Sequence, residues 1–271
     1  MRFPLPRLVI PALCSYVGIL LLMLGLFLPG ISQAEWYVAG YGGWSAPNSL
    51  KDVTMDELGQ QIGFQDFPGA NSIPPLGTLT QSLQTSDVSL KQSPIYGGKA
   101  GYFFSDEGFQ WLGVEVEAFT SEPKIKSQTL SANQNFTYIP NNPQPPGLCV
   151  PGIDCLAQGT ATGTIQLQES SMRLITVAFN VVARYPGKTL QPYVGVGAGA
   201  FYFKSTGQIE GSQVVPGLNA SAGLKILATE EWGVFLEGKY NLASISNFDP
   251  AFGLSGQYSA FSAVGGLAYH F

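Results

Sequence analysis

Two glutamates two residues apart, Glu115 and Glu117, are the first residues that could do chemistry. On a strand, positions i and i+2 share a face, so the pair could set two carboxylates for the acid and base steps of glycoside hydrolysis. The bland alternative is a pair of structural acids facing Lys99, Lys239 or Arg184. A second group is Cys149 and Cys155, which bracket a Pro-Gly turn in Leu148–Leu156. An even pair this close reads as a disulfide that pinches a loop. The rival reading, a metal site, needs further Cys or His ligands nearby. The sequence holds one histidine, His270, far along the chain. No catalytic residue, metal ligand or cofactor-binding motif is therefore assigned, and no cofactor is expected.

The elements that position these residues follow from composition. Of 271 residues, 45% are hydrophobic and only 11% charged, with 33 Gly, 12 Tyr and 17 Phe. An ordinary soluble domain carries about a quarter charged residues, and a disordered one is poor in apolar residues. Nucleic acid is excluded as a partner because 13 Lys+Arg against 18 Asp+Glu provide no basic field for phosphates. One long apolar run exists, Leu8 to Leu28, after Arg2 and Arg7 and before Pro29, Gly30 and Ser32-Gln33-Ala34. That order reads as an export signal at 1–34, cleaved after Ala34, with a transmembrane anchor as the alternative. Cys14 lacks the small preceding residue of a lipidation site. Residues 35–271 then carry 11 Lys+Arg against 18 Asp+Glu, a formal −7.

Within 35–271 the hydrophobicity is spread every second residue, the strand period. Segment 261–271 sets Phe261, Ala263, Gly265, Leu267, Tyr269 and Phe271 against Ser262, Val264, Gly266, Ala268 and His270. The same alternation recurs at 36–44, 95–104, 110–119, 171–185, 192–203, 217–227 and 232–241. Eight strands of about 9 to 11 residues suit a bilayer crossing. In lipid every backbone group must be paired, so the sheet must close. The expected fold is all-β, a closed eight-stranded antiparallel transmembrane barrel at 35–271. Short turns are expected at 105–108, 186–189 and 228–231, and long extracellular connections at 45–94, 120–170, 204–216 and 242–256. A soluble β-sandwich could share the strand number but has no need of apolar faces of Gly, Ala and aromatics all turned away from charges.

Lys99, Glu115, Glu117, Arg184, Lys225, Glu237 and Lys239 all fall on the face opposite the apolar one. Three acids and four bases in one lumen nearly cancel, so an ion-paired plug is expected where side chains alone fill an eight-stranded barrel. Gly195, Gly197 and Gly199 also point inward. They either open a narrow conduit or relieve crowding by Tyr37, Tyr41 and Phe103.

The segments Glu35-Trp-Tyr-Val-Ala-Gly-Tyr-Gly-Gly-Trp-Ser45, Gly101-Tyr-Phe-Phe104, Trp111–Phe119, Gln191–Gly199 and Glu237-Gly-Lys-Tyr240 together resemble the small porin-like outer-membrane barrels related to outer membrane protein A. The resemblance spans 35–271 as a pattern. It implies residence in the outer membrane of a Gram-negative cell, with outer-membrane lipid, lipopolysaccharide and the barrel assembly machinery as partners. Leu267, Tyr269 and Phe271 resemble the carboxy-terminal signal that this machinery reads. Larger members add a periplasmic peptidoglycan-binding domain, a role not expected of residues 35–271. Outer-membrane hydrolases of this size are, as the family comparison implies, Ser or Asp/His enzymes with a histidine at the extracellular rim. His270 is expected at the opposite end, so no enzyme is expected.

The first two connections exceed the tight hairpins of minimal barrels. The first contains Met55–Ile62, able to form a short amphipathic helix. The second holds Pro140–Pro146 and the cysteine pair. Long loops on a rigid scaffold are where binding resides, so the expected role is structural, the loops capping the barrel, or surface interaction of the adhesin or antigen kind with an extracellular ligand, and a narrow porin-like conduit for small or apolar solutes is the runner-up.

Overall fold

The computed structural model describes residues 35–66, 77–105, 108–150 and 154–271. The export segment 1–34 lies outside the described residues. Among the described residues, thirteen strands and one helix follow in order: β1 (Glu35–Pro47), β2 (Lys51–Met55), α1 (Asp56–Asp66), β3 (Gly77–Thr85), β4 (Ser93–Phe104), β5 (Phe109–Ser121), β6 (Lys124–Ile125), β7 (Gln128–Pro140), β8 (Ala157–Leu167), β9 (Ser170–Arg184), β10 (Leu190–Thr206), β11 (Gly211–Leu227), β12 (Trp232–Ile245) and β13 (Leu254–His270).

Eight of these strands form the barrel, in the order β1, β4, β5, β9, β10, β11, β12, β13. Antiparallel pairing of β1 with β13, from Tyr37↔His270 to Pro47↔Ala260, closes it. Closure follows from the composition, since an open edge in lipid would leave a row of backbone donors and acceptors unpaired. Alternation sorts the faces as the sequence requires. Val38, Val116, Phe179, Val196, Leu218 and Leu236 are exposed to the outside, while Lys99, Glu115, Glu117, Asn180 and Lys239 are buried inside. Aromatic rings gather at the end with the short turns, where Trp36 lies tilted against Tyr102 and Trp232 against Tyr269, with centroids 5.1 and 5.0 Å apart. Such rings form the interfacial girdle of a membrane barrel.

The connections differ from expectation at the other end. Only 207–210 separates β10 from β11 and only 246–253 separates β12 from β13, so the third and fourth connections are not the long loops expected at 204–216 and 242–256. The strands themselves continue outward: β10, β11 and β13 are 17 residues each. A strand of about ten residues crosses the bilayer, so the surplus stands above it. The first and second connections are long, but they are folded. β13 pairs with β2 through Leu254↔Met55 and Ser255↔Thr54, and the sheet continues through β3 and β7 to β8 at its free edge.

Met55–Ile62, expected as a short helix, lies within the end of β2 and α1. Asp56 and Glu57 occupy the first turn of α1, where carboxylates suit the positive end of the helix dipole. The helix lies hard against β3, because a Cβ on Gly59 would stand 2.9 Å from Leu83 Cβ.

The extracellular half is where the hydrophobic core sits. Leu50, Met55, Ile125, Leu130, Phe201, Phe203 and Tyr258 are essentially fully buried and belong to one cluster. That cluster runs from the barrel mouth into the added sheet, which makes the two one folded unit.

Candidate functional site

The lumen is stratified. At the short-turn end, Arg184 of β9 forms a two-pronged ion pair with Glu35 at the start of β1. His270 Nδ1 lies 2.8 Å from Glu35 Oε1, and its Nε2 lies 3.1 Å from Lys225 Nζ. Two cations also sit over aromatic faces here: the Arg184 guanidinium 3.7 Å from the Phe103 centroid and Lys225 Nζ 4.6 Å from that of Tyr37. Contacts of this kind offset part of the cost of burying a cation.

The middle layer joins β1, β4, β5, β9, β10 and β12. Tyr37 donates to Glu115 Oε2 at 2.5 Å and Asn180 Nδ2 donates to Glu115 Oε1 at 3.0 Å. Lys99 Nζ is 3.4 Å from Glu115 and 2.6 Å from Glu237, which also accepts from Tyr193 Oη at 2.8 Å. One layer further out, Lys239 pairs with Glu117, and Tyr41 Oη donates to the same carboxylate at 2.5 Å.

All seven charged residues assigned to the lumen therefore lie inside it, buried. Glu115 and Glu117 engage lysines as expected, but Arg184 does not face them; it pairs with Glu35, which the sequence reading left out of the lumen. With Glu35 included, four carboxylates face Lys99, Arg184, Lys225 and Lys239. The lumen is thus formally balanced with His270 neutral. Glu35 carries no periodic signal of its own, because it stands one residue before the first alternating position.

This geometry leaves Glu115 and Glu117 no room to act on a sugar. Each carboxylate is held by a tyrosine and a lysine, and a cavity lined by Tyr37, Lys99, Glu115, Arg184 and Tyr193 measures about 10 Å³, at or below the space for one water. Further out, Phe201, Phe203 and Tyr258 seal the mouth.

Of the two alternatives for the inward glycines on β10, relief of crowding by Tyr37, Tyr41 and Phe103 does not hold, because these glycines meet the neighbouring strands instead. A Cβ on Gly197 would stand 2.0 Å from Asn180 Oδ1 and 2.3 Å from the Phe179 carbonyl, and one on Gly195 would stand 2.8 Å from Ser221 Oγ. The large rings use other glycines: Tyr37 covers Gly101, Phe103 covers Gly113 and Tyr193 covers Gly223, each within 2.7 Å of the Cβ position. Gly197→Ala should therefore cost about 1 to 3 kcal/mol, the usual penalty of overpacking, measured as a lower urea midpoint for the barrel in phospholipid vesicles. Unchanged stability would mean that the Asn180 side chain and the β9 backbone yield freely.

Outside the lumen, Cys149 and Cys155 form a disulfide with Cα atoms 5.1 Å apart, at the tip of the β7–β8 connection. Leu148, Val150 and Leu156 are exposed beside it. At the opposite end, Leu267 and Phe271 face outward, and the Tyr269 ring stands 5.0 Å from Phe271.

A closed eight-stranded antiparallel barrel with an apolar outer belt, an aromatic girdle and an ion-paired lumen defines an integral outer-membrane protein. The chain belongs to the outer membrane protein beta-barrel domain family, whose model matches residues 19–271. Among solved structures it is similar to Neisserial surface protein A, with 11% identity, 88% of this chain and 100% of that one covered, and a TM-score of 0.44. It is also similar to Ail, the attachment invasion locus protein of Yersinia pestis, with 12% identity, 88% and 99% covered, and a TM-score of 0.40. A third similar structure is the outer membrane protein OprG of Pseudomonas aeruginosa, with 14% identity, 89% and 98% covered, and a TM-score of 0.39. A search of curated protein sequences finds no match.

Proposed function

We propose that the protein is a surface-interaction module, an adhesin-like barrel that presents its extracellular sheet to a partner outside the cell. The observation that carries this reading is the sheet β2–β3–β7–β8, built on the barrel rim and ending in β8, an 11-residue strand with no charged residue and, among the described residues, no strand paired on its outer side. A sheet edge with unpaired backbone groups is a template for an incoming strand. The role as a conduit is weakened by the balanced ion pairs and the aromatic seal at the mouth.

Cells displaying the protein should bind a target surface, and replacing 141–156 by a short Asn-Gly turn together with Thr160→Pro and Thr162→Pro on β8 should abolish that binding while the barrel still shows its heat-modifiable migration. Thr160 and Thr162 are exposed positions remote from the buried core. Retained binding in a correctly folded variant would refute the reading. The purified protein should also be silent in planar bilayers; steady single-channel steps would favour the conduit.

A further inference from the structure

The strands β3, β7 and β8 contain no charged residue. One side of the three packs on the core, where Leu83, Leu130 and Ala132 are buried. The other side faces outward and is chemically uniform. Every outward residue of β7 from Thr129 to Thr137 is Ser, Thr or Asn, and every residue paired with one of these on β3 or β8 is Ser, Thr or Gln. At the centre stand Asn133 and Asn135, flanked by Gln84 and Ser82 of β3 and by Thr162 and Thr160 of β8. All of these except the half-buried Ser82 are exposed. Among the described residues of this face, Ile139 is the one large apolar side chain, at its outer end.

The face looks sideways, along the plane of the membrane. Ser255 of β13 pairs with Thr54, Thr54 with Gln84 and Gln84 with Asn133, so the outer wall of the barrel continues unbroken into it. Its chemistry limits what can sit there. Among its described residues it holds no cation for a phosphorylated or sulfated glycan, no aromatic ring for a sugar to stack on, and no apolar surface beyond Ile139. Residues 35–271 carry a formal −7, so copies of the chain repel each other in general, and a neutral face is where two can meet. Hydroxyls and primary amides both donate and accept hydrogen bonds. The face is therefore complementary to itself, as an interface closed by a two-fold axis requires. Uncharged strand segments without Pro or Gly, such as Thr129–Thr137, are also those whose sheets interdigitate face to face.

We infer that the outward face of β3, β7 and β8 is a homodimer interface, its occupant the same face of a second copy in the same membrane, stacked across a two-fold axis along the membrane normal. Three strands about 4.8 Å apart and nine residues long, at about 3.4 Å per residue, give about 450 Å² per copy. A total of about 900 Å² is that of a weak, reversible interface. Confinement to one membrane plane supports it by raising the effective concentration of the partner. A neutral polysaccharide is the competing occupant. The second copy is favoured because it repeats the pleat and strand spacing of the face itself, which a sugar chain does not. This face is distinct from the free edge of β8, so either interface can fail while the other stands.

The test uses the folded protein in phospholipid vesicles, labelled with donor or acceptor dye through Lys188→Cys, an exposed position in a short turn at the opposite end. Each variant is first checked for heat-modifiable migration. The protein with its native face should show energy transfer above that of random encounter at the same protein-to-lipid ratio, falling on dilution with lipid. Asn133→Glu with Asn135→Glu should remove the excess, since like charges then meet across the axis. Asn133→Lys with Asn135→Lys should remove it as well. Mixing the Glu variant with the Lys variant should restore it, an outcome that misfolding cannot produce. Transfer at the random level for the native face would overturn the inference, as would transfer retained in either charged variant alone or absent from their mixture. So would retention of the protein on cross-linked dextran that the Glu variant loses.

Discussion

Lys239→Met should lower barrel stability by about 3 to 5 kcal/mol, the cost of removing one partner of a buried ion pair. The Lys239 and Glu117 side chains are 1% and 2% exposed, so water does not replace the lost ammonium. Nζ of Lys239 also lies 3.2 Å from Tyr41 Oη and 3.9 Å from Glu237, and over the Phe119 ring at 4.7 Å. The substitution leaves Glu117 charged in the lumen with the Tyr41 hydroxyl as its remaining side-chain donor among the described residues. Because the penalty arises from the uncompensated charge, Lys239→Met combined with Glu117→Leu should recover most of it. Urea unfolding of the barrel in phospholipid vesicles, followed by tryptophan fluorescence, reads both. A loss below about 1 kcal/mol for the single variant would put the pair in the class of solvated surface bridges and would mean that the lumen is wet.

Val196→Arg and Val116→Arg should each cost about 2 to 4 kcal/mol and depress outer-membrane assembly, because both place a guanidinium against mid-bilayer lipid. Val196 is 63% and Val116 52% exposed, each on an outward face, and Val114 and Val196 flank β9 at the level of Val181. Val214 is exposed to the same degree but faces Tyr202 at the top of the apolar band. There the cost of Arg should fall to about 0 to 1 kcal/mol, as it does near the interface. Equal accessibility with unequal cost is the signature of depth in a bilayer, and no soluble sandwich reproduces it. Outer-membrane yield and heat-modifiable migration unchanged for both mid-depth variants would refute the assignment of faces.

The two predictions address the two kinds of information that the chain holds. Which face of each strand meets lipid is a local property, written as alternation, and Val116 and Val196 were legible from it. The seven lumen charges were legible for the same reason, since a charged residue opposite an apolar face has only the interior to go to. Who pairs with whom was not. Arg184 is 149 positions from Glu35, and only the register that brings β9 and β1 across the lumen makes them partners.

The extracellular sheet was missed for a related reason. Strand β7 reads Gln128-Thr-Leu-Ser-Ala-Asn-Gln-Asn-Phe-Thr-Tyr-Ile-Pro140, and its inward positions Leu130, Ala132 and Tyr138 are buried. Its outward residues are polar apart from Ile139, and Gln134, also inward, is a polar residue buried through hydrogen bonds to the Gly59 carbonyl and Gln81. Such a strand has too little contrast to separate it from a polar loop. The shortness of the third and fourth connections was hidden in the same way, since Lys204, Ser212, Ser244 and Gln257 are polar strand residues standing above the membrane in water.

By itself, then, the sequence determined a membrane barrel and the inner and outer faces of its strands, because hydrophobic alternation is a property of neighbours along the chain and lipid demands that every edge be closed. Only the tertiary structure decided that the lumen is charge-balanced through Glu35 and that the long connections form a sheet on the rim. Each of these depends on distances between residues remote in sequence, which strand register sets and local composition does not.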